Sequence, residues 1–163
     1  MDLDKASTIE GNLLNFPKNI DFIAHSCNTH NVMGAGIAQQ IKYRYPQSYS
    51  ADCHAMMEGK NVLGDFSFAW TDATQNKGIY NMYTQGRIGG TRAVNYEGFY
   101  TSLESVLNHI EWQSSHDEEK KALGLPMGIS CGLAGGDWGI IKAIIEDIFR
   151  NSSVMCYIVK YNQ

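Results

Sequence analysis

The segment from Ile20 to Tyr45, IDFIAHSCNTHNVMGAGIAQQIKYRY, constrains the fold most, because an apolar run passes through a polar turn and a glycine pair into helical periodicity. Ile20, Phe22, Ile23 and Ala24 read as a strand covered on both faces, and Ile37, Ile41 and Tyr45 recur at helical spacing. Between them, Gly34 and Gly36 let the backbone approach a ligand closely. The new helix turns its unpaired N–H groups toward that ligand, so a phosphate is the expected guest.

The same alternation continues along the chain. Ser7 to Leu14 is expected to hold a first strand and Ile20 to Cys27 the next, with a helix from Gly34 to Tyr45 ended by Pro46. Tyr49 to Glu58 reads as a short second helix, closed by Gly59. Leu63 to Thr71 and Gly78 to Thr84 read as strands on either side of the polar turn 72–77. Phe99, Leu103, Val106, Leu107 and Ile110 form one apolar stripe, which predicts a helix from about Tyr96 to Trp112. After the solvated connector SSHDEEKK come a strand from Ala122 to Ser130 and a helix from Asp137 to Phe149 with Ile141, Ile144, Ile145 and Ile148 inward. A strand from Val154 to Lys160 closes the pattern. Strands alternating with helices imply an α/β fold with a sheet between helical layers. The glycine-rich turns at 34–36 and 132–136 each follow a strand and precede a helix, so both are expected beside one crevice at the carboxyl ends of the strands.

A chain of 163 residues suits one compact domain, residues 1–163, able to bury roughly 70 % of its unfolded surface. The net charge of -4 argues against a broad footprint for duplex DNA or an acidic membrane, so any nucleotide is held by local geometry. Cys27, Cys53, Cys131 and Cys156 make no C-x-x-C pair and no charged-then-apolar leader is present, which points to free thiols in a reducing cytoplasmic setting. No apolar run approaches the roughly 20 residues of a membrane span.

Gly34-Ala35-Gly36 also invites a dinucleotide fingerprint, but the pattern fails in three ways. Gln39 stands where the third glycine belongs, the turn follows the second strand, and Asp52 falls within an expected helix. A purely structural glycine turn is the other plain alternative.

Read in order, four motifs resemble a macrodomain, and the resemblance runs from Gly11 to about Tyr161. They are Gly11-Asn12-Leu13, then AHSCN ending at Asn28, then Gly34-Ala35-Gly36 opening a helix, and late in the chain Ile129-Ser-Cys-Gly-Leu-Ala-Gly135 followed by Gly136-Asp137-Trp138. HSCN, GAGIAQQI and the RYP at Arg44 to Pro46 are most similar to the ADP-ribose 1''-phosphate phosphatase branch. The deacylating ADP-ribosyl glycohydrolases share much of this frame. The resemblance implies a three-layer α/β/α fold with a central mixed sheet, and ADP-ribose or a derivative as partner. It implies no cofactor and no metal.

The implied ligand site comprises Gly11, Asn12 and Leu13; Ser26, Cys27 and Asn28; Met33, Gly34, Ala35, Gly36, Ile37 and Ala38; and Ile129, Ser130, Cys131, Gly132, Leu133, Ala134 and Gly135. The start of the helix at Gly34 to Ile37 and the loop Ser130 to Gly136 supply backbone donors for two phosphates without basic side chains. Asn28 is expected on the distal ribose hydroxyls, its plain alternative being a side chain that satisfies its own turn. Asn12 stands where many macrodomains carry an aspartate for the adenine amino group, so the charge-assisted part of that contact is absent. Tyr161 is a candidate wall for adenine. Tyr83-Thr84-Gln85 is expected on the distal-ribose side, with Arg87 and Arg92 in the glycine-containing loop beyond.

His25 and Asp137 are the candidates for chemistry. His25 is expected at the mouth of its strand, where an imidazole could shuttle a proton, against the alternative of a hydrogen-bonded core histidine. Asp137 opens a helix and is an N-cap first, with a carboxylate that could orient water second. His25, Cys27 and His30 form H-x-C-x-x-H, but a zinc centre needs further ligands that the neighbouring sequence lacks. The glycohydrolase relatives that deacylate use a lysine near the position of Gln85 and Gly86, and an aspartate near Ala134. Without the amine, a covalent ribose adduct is unavailable, which favours phosphate removal from ADP-ribose 1''-phosphate. The alternatives are an ADP-ribosyl glycohydrolase that hydrolyses an ADP-ribosyl ester on ADP-ribosylated protein or nucleic acid, and a non-catalytic ADP-ribose reader.

Overall fold

The computed structural model describes residues 6–86, 94–132 and 134–161. Among the described residues six strands and four α-helices follow one another: β1 (Ala6–Gly11), β2 (Phe22–Asn28), α1 (Gly36–Arg44), α2 (Pro46–Met57), β3 (Phe66–Trp70), β4 (Gly78–Gln85), α3 (Tyr96–Gln113), β5 (Ala122–Pro126), α4 (Trp138–Phe149) and β6 (Met155–Tyr161). They make one sheet in the order β1-β6-β5-β2-β4-β3, parallel throughout except for the antiparallel edge pair β3 and β4. The expected three-layer arrangement with a mixed sheet is therefore present.

Alternation along the strands divides the core. Phe22, Ala24, Tyr80, Met82, Leu123, Leu125 and Ile158 pack with Phe99, Leu103, Val106 and Ile110 of α3 and with Ile141, Ile145 and Phe149 of α4. Each of the Val, Leu, Ile, Phe and Met side chains among them, fully buried, contributes about 1.5–3 kcal/mol. On the opposite face, Ile23, Ile79 and Val159 meet Ile41 of α1, and Cys27 and Tyr83 meet Ala55 of α2. This second face is divided by polar groups, because His25 and Asn81 lie fully buried between its two apolar clusters.

Four boundaries differ from the sequence expectation by three residues or more, each for a local reason. β1 ends at Gly11 instead of Leu14, since the Asn12 side chain accepts from Leu14 N–H at 3.0 Å and opens a 3-10 turn over Leu13–Asn15. β3 starts at Phe66 because Gly64 adopts φ +88° and Asp65 N–H donates back to Val62 O. β5 stops at Pro126, whose ring removes a ladder donor, and left-handed residues follow at Gly128 (φ 76°) and Ser130 (φ 65°). Pro46 marks the break after α1 as expected, but α2 starts there instead of at Tyr49, because a proline in the first helical turn has no N–H that the helix needs.

Candidate functional site

The sheet places a crevice by its connectivity. From β2 the chain passes through α1, α2 and β3 to β4 on one side, whereas from β5 it passes through α4 to β6 on the other. Chain direction thus switches between the neighbours β2 and β5, where a ligand crevice is expected at the carboxyl ends. The two strands pair only at Phe22↔Leu123 and Ile23↔Gly124 and then separate, while β2 follows β4 for seven register pairs. The turn after β2 and the loop after β5 stand on either side of that split. Ser26 Oγ and Ser130 Oγ bridge it by a short hydrogen bond.

Backbone donors line one side. α1 begins at Gly36 after an extended Ala35, no side chain among the described residues caps it, and the first helical bond is Gln39 N–H to Ala35 O. The N–H groups of Gly36, Ile37 and Ala38 are therefore without intrahelical acceptors at the positive end of the helix. Gly34, Ala35 and Gly36 are exposed, while Met33 is buried beneath them. Gly36 has φ +60°, and a Cβ there would meet nothing within 4 Å.

On the other side, Ile129 and Ser130 are buried and Gly132 is exposed. Ser130 is held in the left-handed region, which costs a residue with a side chain about 1–2 kcal/mol. Gly136 N–H donates to Ser130 O at 2.8 Å and closes the loop. A Cβ on Gly136 would lie 2.6 Å from that oxygen. Gly136→Ala is therefore expected to open the loop and lower the melting temperature by several degrees; an unchanged melting curve would contradict this closure. Ala134 is buried under the loop, and its carbonyl accepts from Val94 N–H. Leu133, Arg87 and Arg92 lie outside the described residues.

Gly11, Asn12 and Leu13 sit at the end of β1, across β6 and β5 from the split. Gly11 pairs in register with Tyr161, whose side chain is 63 % exposed. Asn12 uses its oxygen on Leu14 N–H, so its NH2 group is the donor it offers. Asn28 is also engaged locally: its Oδ1 accepts from His30 N–H at 2.9 Å and its Nδ2 donates to Val32 O at 2.9 Å. The turn-satisfying alternative thus describes Asn28 in this conformation. At the end of β4, Thr84 Oγ1 and Gln85 Oε1 are buried without a partner among the described residues, as is Asn31 Oδ1. Buried acceptors of this kind ordinarily hold a partner or a ligand group.

His25 differs from its expected position. It is fully enclosed on the α2 side of the sheet, where Nε2–H donates to Asn81 Oδ1 at 2.7 Å. Asn81 Nδ2 donates to Ser48 O and Ser67 Oγ, each at 2.9 Å, which fixes Oδ1 as the acceptor and His25 as the Nε2–H tautomer. Burial lowers the His25 pKa to about 4, partly offset by the bond to Asn81, so the ring is neutral at pH 7. The network runs on from Ser67 Oγ to Tyr83 OH at 2.8 Å, and from Tyr83 OH to Asp52 Oδ1 at 2.7 Å.

Asp137, by contrast, is exposed and caps α4, accepting from Ile140 N–H at 3.2 Å. It stands between the loop and a hollow of about 540 Å³ lined also by Tyr100, Ile140, Ile144 and Asp147. The H-x-C-x-x-H run does not gather: His25 and Cys27 are buried, whereas the His30 ring reaches the carbonyl of Gly86 at the surface. The Cys27 thiol is held well above its ordinary pKa by burial and by the Asp52 carboxylate, and that of Cys131 is raised by burial and by Asp137. Both stay protonated fillers. Sequence reasoning missed the outer face of α1, where Gln39, Gln40, Tyr43 and Arg44 border a hollow with Asn12 and Leu14. The 3-10 turn that makes its other wall leaves no periodicity to read.

No protein-family model matches the sequence. The chain is 29 % identical over 127 residues to an uncharacterized 17.5 kDa protein from the tk-vs intergenic region of Enterobacteria phage T4, across 76 % of this chain and 77 % of that protein. It is 26 % identical over 146 residues to the ADP-ribose glycohydrolase OARD1 of Homo sapiens, across 90 % of this chain and 85 % of that protein. Among solved structures it superposes on the macrodomain of Mycobacterium tuberculosis DarG with a TM-score of 0.79 at 21 % identity, over 97 % of this chain and 98 % of that one. The match to Thermosipho africanus DarTG in complex with ADP-ribose has a TM-score of 0.75 at 20 % identity, over 98 % of this chain and 43 % of that one. With its mixed six-stranded sheet between helical layers, this chain has the macrodomain fold.

Proposed function

We propose that the chain binds ADP-ribose across the β2–β5 split and hydrolyses ADP-ribose 1''-phosphate there to ADP-ribose and inorganic phosphate. The observation that carries this reading is the uncapped start of α1 at Gly36, Ile37 and Ala38 on one side of the split, with the glycine loop from Ser130 to Gly136, whose Gly132 is exposed, on the other. Such donors bind a diphosphate without requiring lysine or arginine. Adenosine extends toward Asn12 and Tyr161, and the distal ribose toward Asn28 and the end of β4. Thr84 and Gln85 there carry buried oxygens that ribose hydroxyls or a water held by the ligand could satisfy. The glycohydrolase named among the relatives and the ADP-ribose complex of a like-folded chain support ADP-ribose as the recognised unit.

In this reading Asp137 orients the attacking water, whose oxygen joins phosphorus as the bond from phosphorus to the distal ribose oxygen breaks. The proton of water passes through the carboxylate to solvent or to the departing oxygen. His25 acts as a positioning residue, because its neutral ring ties β2 to Asn81 three residues before Asn28. Hydrolysis of an ADP-ribosyl ester is the second reading, favoured by the likeness to OARD1. Phosphate release from ADP-ribose 1''-phosphate and cleavage of an ADP-ribosyl ester, each measured without added metal, test the two readings. Asp137→Asn keeps an N-cap oxygen and removes the charge, so it is expected to slow turnover about 100-fold while ADP-ribose still binds. Undiminished release would remove Asp137 from the mechanism. Cleavage of the ester without the phosphate would transfer the assignment to the second reading, and normal binding with neither turnover would leave a reader of ADP-ribose.

A further inference from the structure

Beside the adenosine end of the crevice lies a separate hollow of about 380 Å³, between the outer face of α1 and the 3-10 turn that follows β1. That volume lies within the range of small-molecule sites. Its walls are Asn12, Leu14, Gln39, Gln40, Tyr43 and Arg44. Three carboxamides, a phenol and a guanidinium surround an apolar floor, and no carboxylate is among them, although acids outnumber bases in the chain and the net charge is -4. Such a lining suits a planar or phosphorylated group. Tyr43 is 93 % exposed and packs into neither core cluster of its face. The Arg44 guanidinium lies 5.4 Å from the centroid of the Tyr45 ring, and Tyr45 is itself tied by its hydroxyl to Leu14 O at 2.6 Å. The cation is thus held against a fixed platform at the rim of the hollow.

Asn12 lines this hollow and also follows Gly11 at the end of β1, so the hollow adjoins the side on which the proposed site places adenosine. Resting on the ADP-ribose reading above, we infer that the ligand carries a phosphate-bearing substituent on its adenosine, received in this hollow with the phosphate on Arg44 and the flanking amides. The substrate class is then an ADP-ribosyl unit extended at its adenosine end instead of free ADP-ribose alone. Charged partners at such an open position act over about 10 Å and are weakened by salt, so the preference is measured at low ionic strength.

The probe is ADP-ribose phosphorylated at the adenosine 2'-hydroxyl, titrated calorimetrically against unsubstituted ADP-ribose. The phosphorylated ligand is expected to bind about tenfold more tightly, a preference of about 1.4 kcal/mol. Arg44→Ala is expected to erase that preference while affinity for unsubstituted ADP-ribose stays within about twofold, and Arg44→Lys to retain part of it. Equal or weaker binding of the phosphorylated ligand, or a preference that survives Arg44→Ala, would overturn the inference. Failure of both ligands to bind would overturn it together with the proposed function, whereas binding of ADP-ribose without preference would overturn the inference alone.

Discussion

Gly132→Val is expected to weaken ADP-ribose binding at least about 100-fold, equivalent to about 2.7 kcal/mol, while leaving thermal stability almost unchanged. A Cβ at Gly132 would meet no atom within 4 Å, and the residue lies outside the left-handed region, so nothing in the fold requires glycine at this position. What a side chain there would occupy is the space above the loop that closes through Gly136 and Ser130. Gly36→Val removes binding on the opposite side, with a different stability signature. At φ +60° a side chain is strained by about 1–2 kcal/mol, and a β-branched one by more, so this variant also melts earlier. The pair separates ligand exclusion from backbone strain. Wild-type affinity in Gly132→Val would put the diphosphate somewhere other than between these turns.

Replacing His25 is expected to act chiefly on stability. The ring is fully buried and donates to Asn81 Oδ1, which would keep only its bond from Ser48 Oγ in His25→Ala. Cavity and lost hydrogen bond together cost about 2–4 kcal/mol, measurable in chemical denaturation at neutral pH. The pH dependence carries a second signature. With a folded pKa of about 4 against 6.5 when unfolded, the native state binds fewer protons than the unfolded state between those values. Its contribution is complete above pH 6.5 and is lost as pH falls, at about 1.4 kcal/mol per pH unit, to about 3 kcal/mol at pH 4. His109, also lowered by burial, adds a contribution of the same sign. Asp52 acts the other way: its carboxyl is raised by burial, so its contribution is present when protonated and lost as pH rises above 3.8. In His25→Gln the acid slope between pH 6.5 and 5 is therefore expected to shrink without vanishing. An unaltered slope would contradict a neutral buried imidazole.

The long, strongly patterned elements were legible in the sequence. The stripe from Phe99 to Ile110 gives α3 to within a residue at its carboxyl end, and Pro46 marks the junction between α1 and α2. The glycine turns were legible because each interrupts an apolar run just before helical periodicity begins. Side-chain partnerships were not legible. A histidine in HSCN reads the same whether it faces a ligand or the layer beneath α2; only the β2–β4 register, with His25 opposite Asn81, decides between them. Asn28 and Asn12 were read as ligand groups from their positions, yet their oxygens already serve the turns that follow β2 and β1. Short-range capping by asparagine competes with long-range recognition and leaves the same residue type in either case. The hollow beside α1 depends on a 3-10 turn, which has no extended periodicity to betray it.

The central claim, that two glycine turns present backbone amides to one diphosphate, is tested most directly by calorimetric titration of the chain with ADP-ribose, AMP and NAD. The account predicts saturable one-to-one binding of ADP-ribose, tighter than AMP, which lacks the second phosphate and distal ribose, and tighter than NAD. No heat with ADP-ribose, or a preference for AMP or NAD over it, would contradict the account.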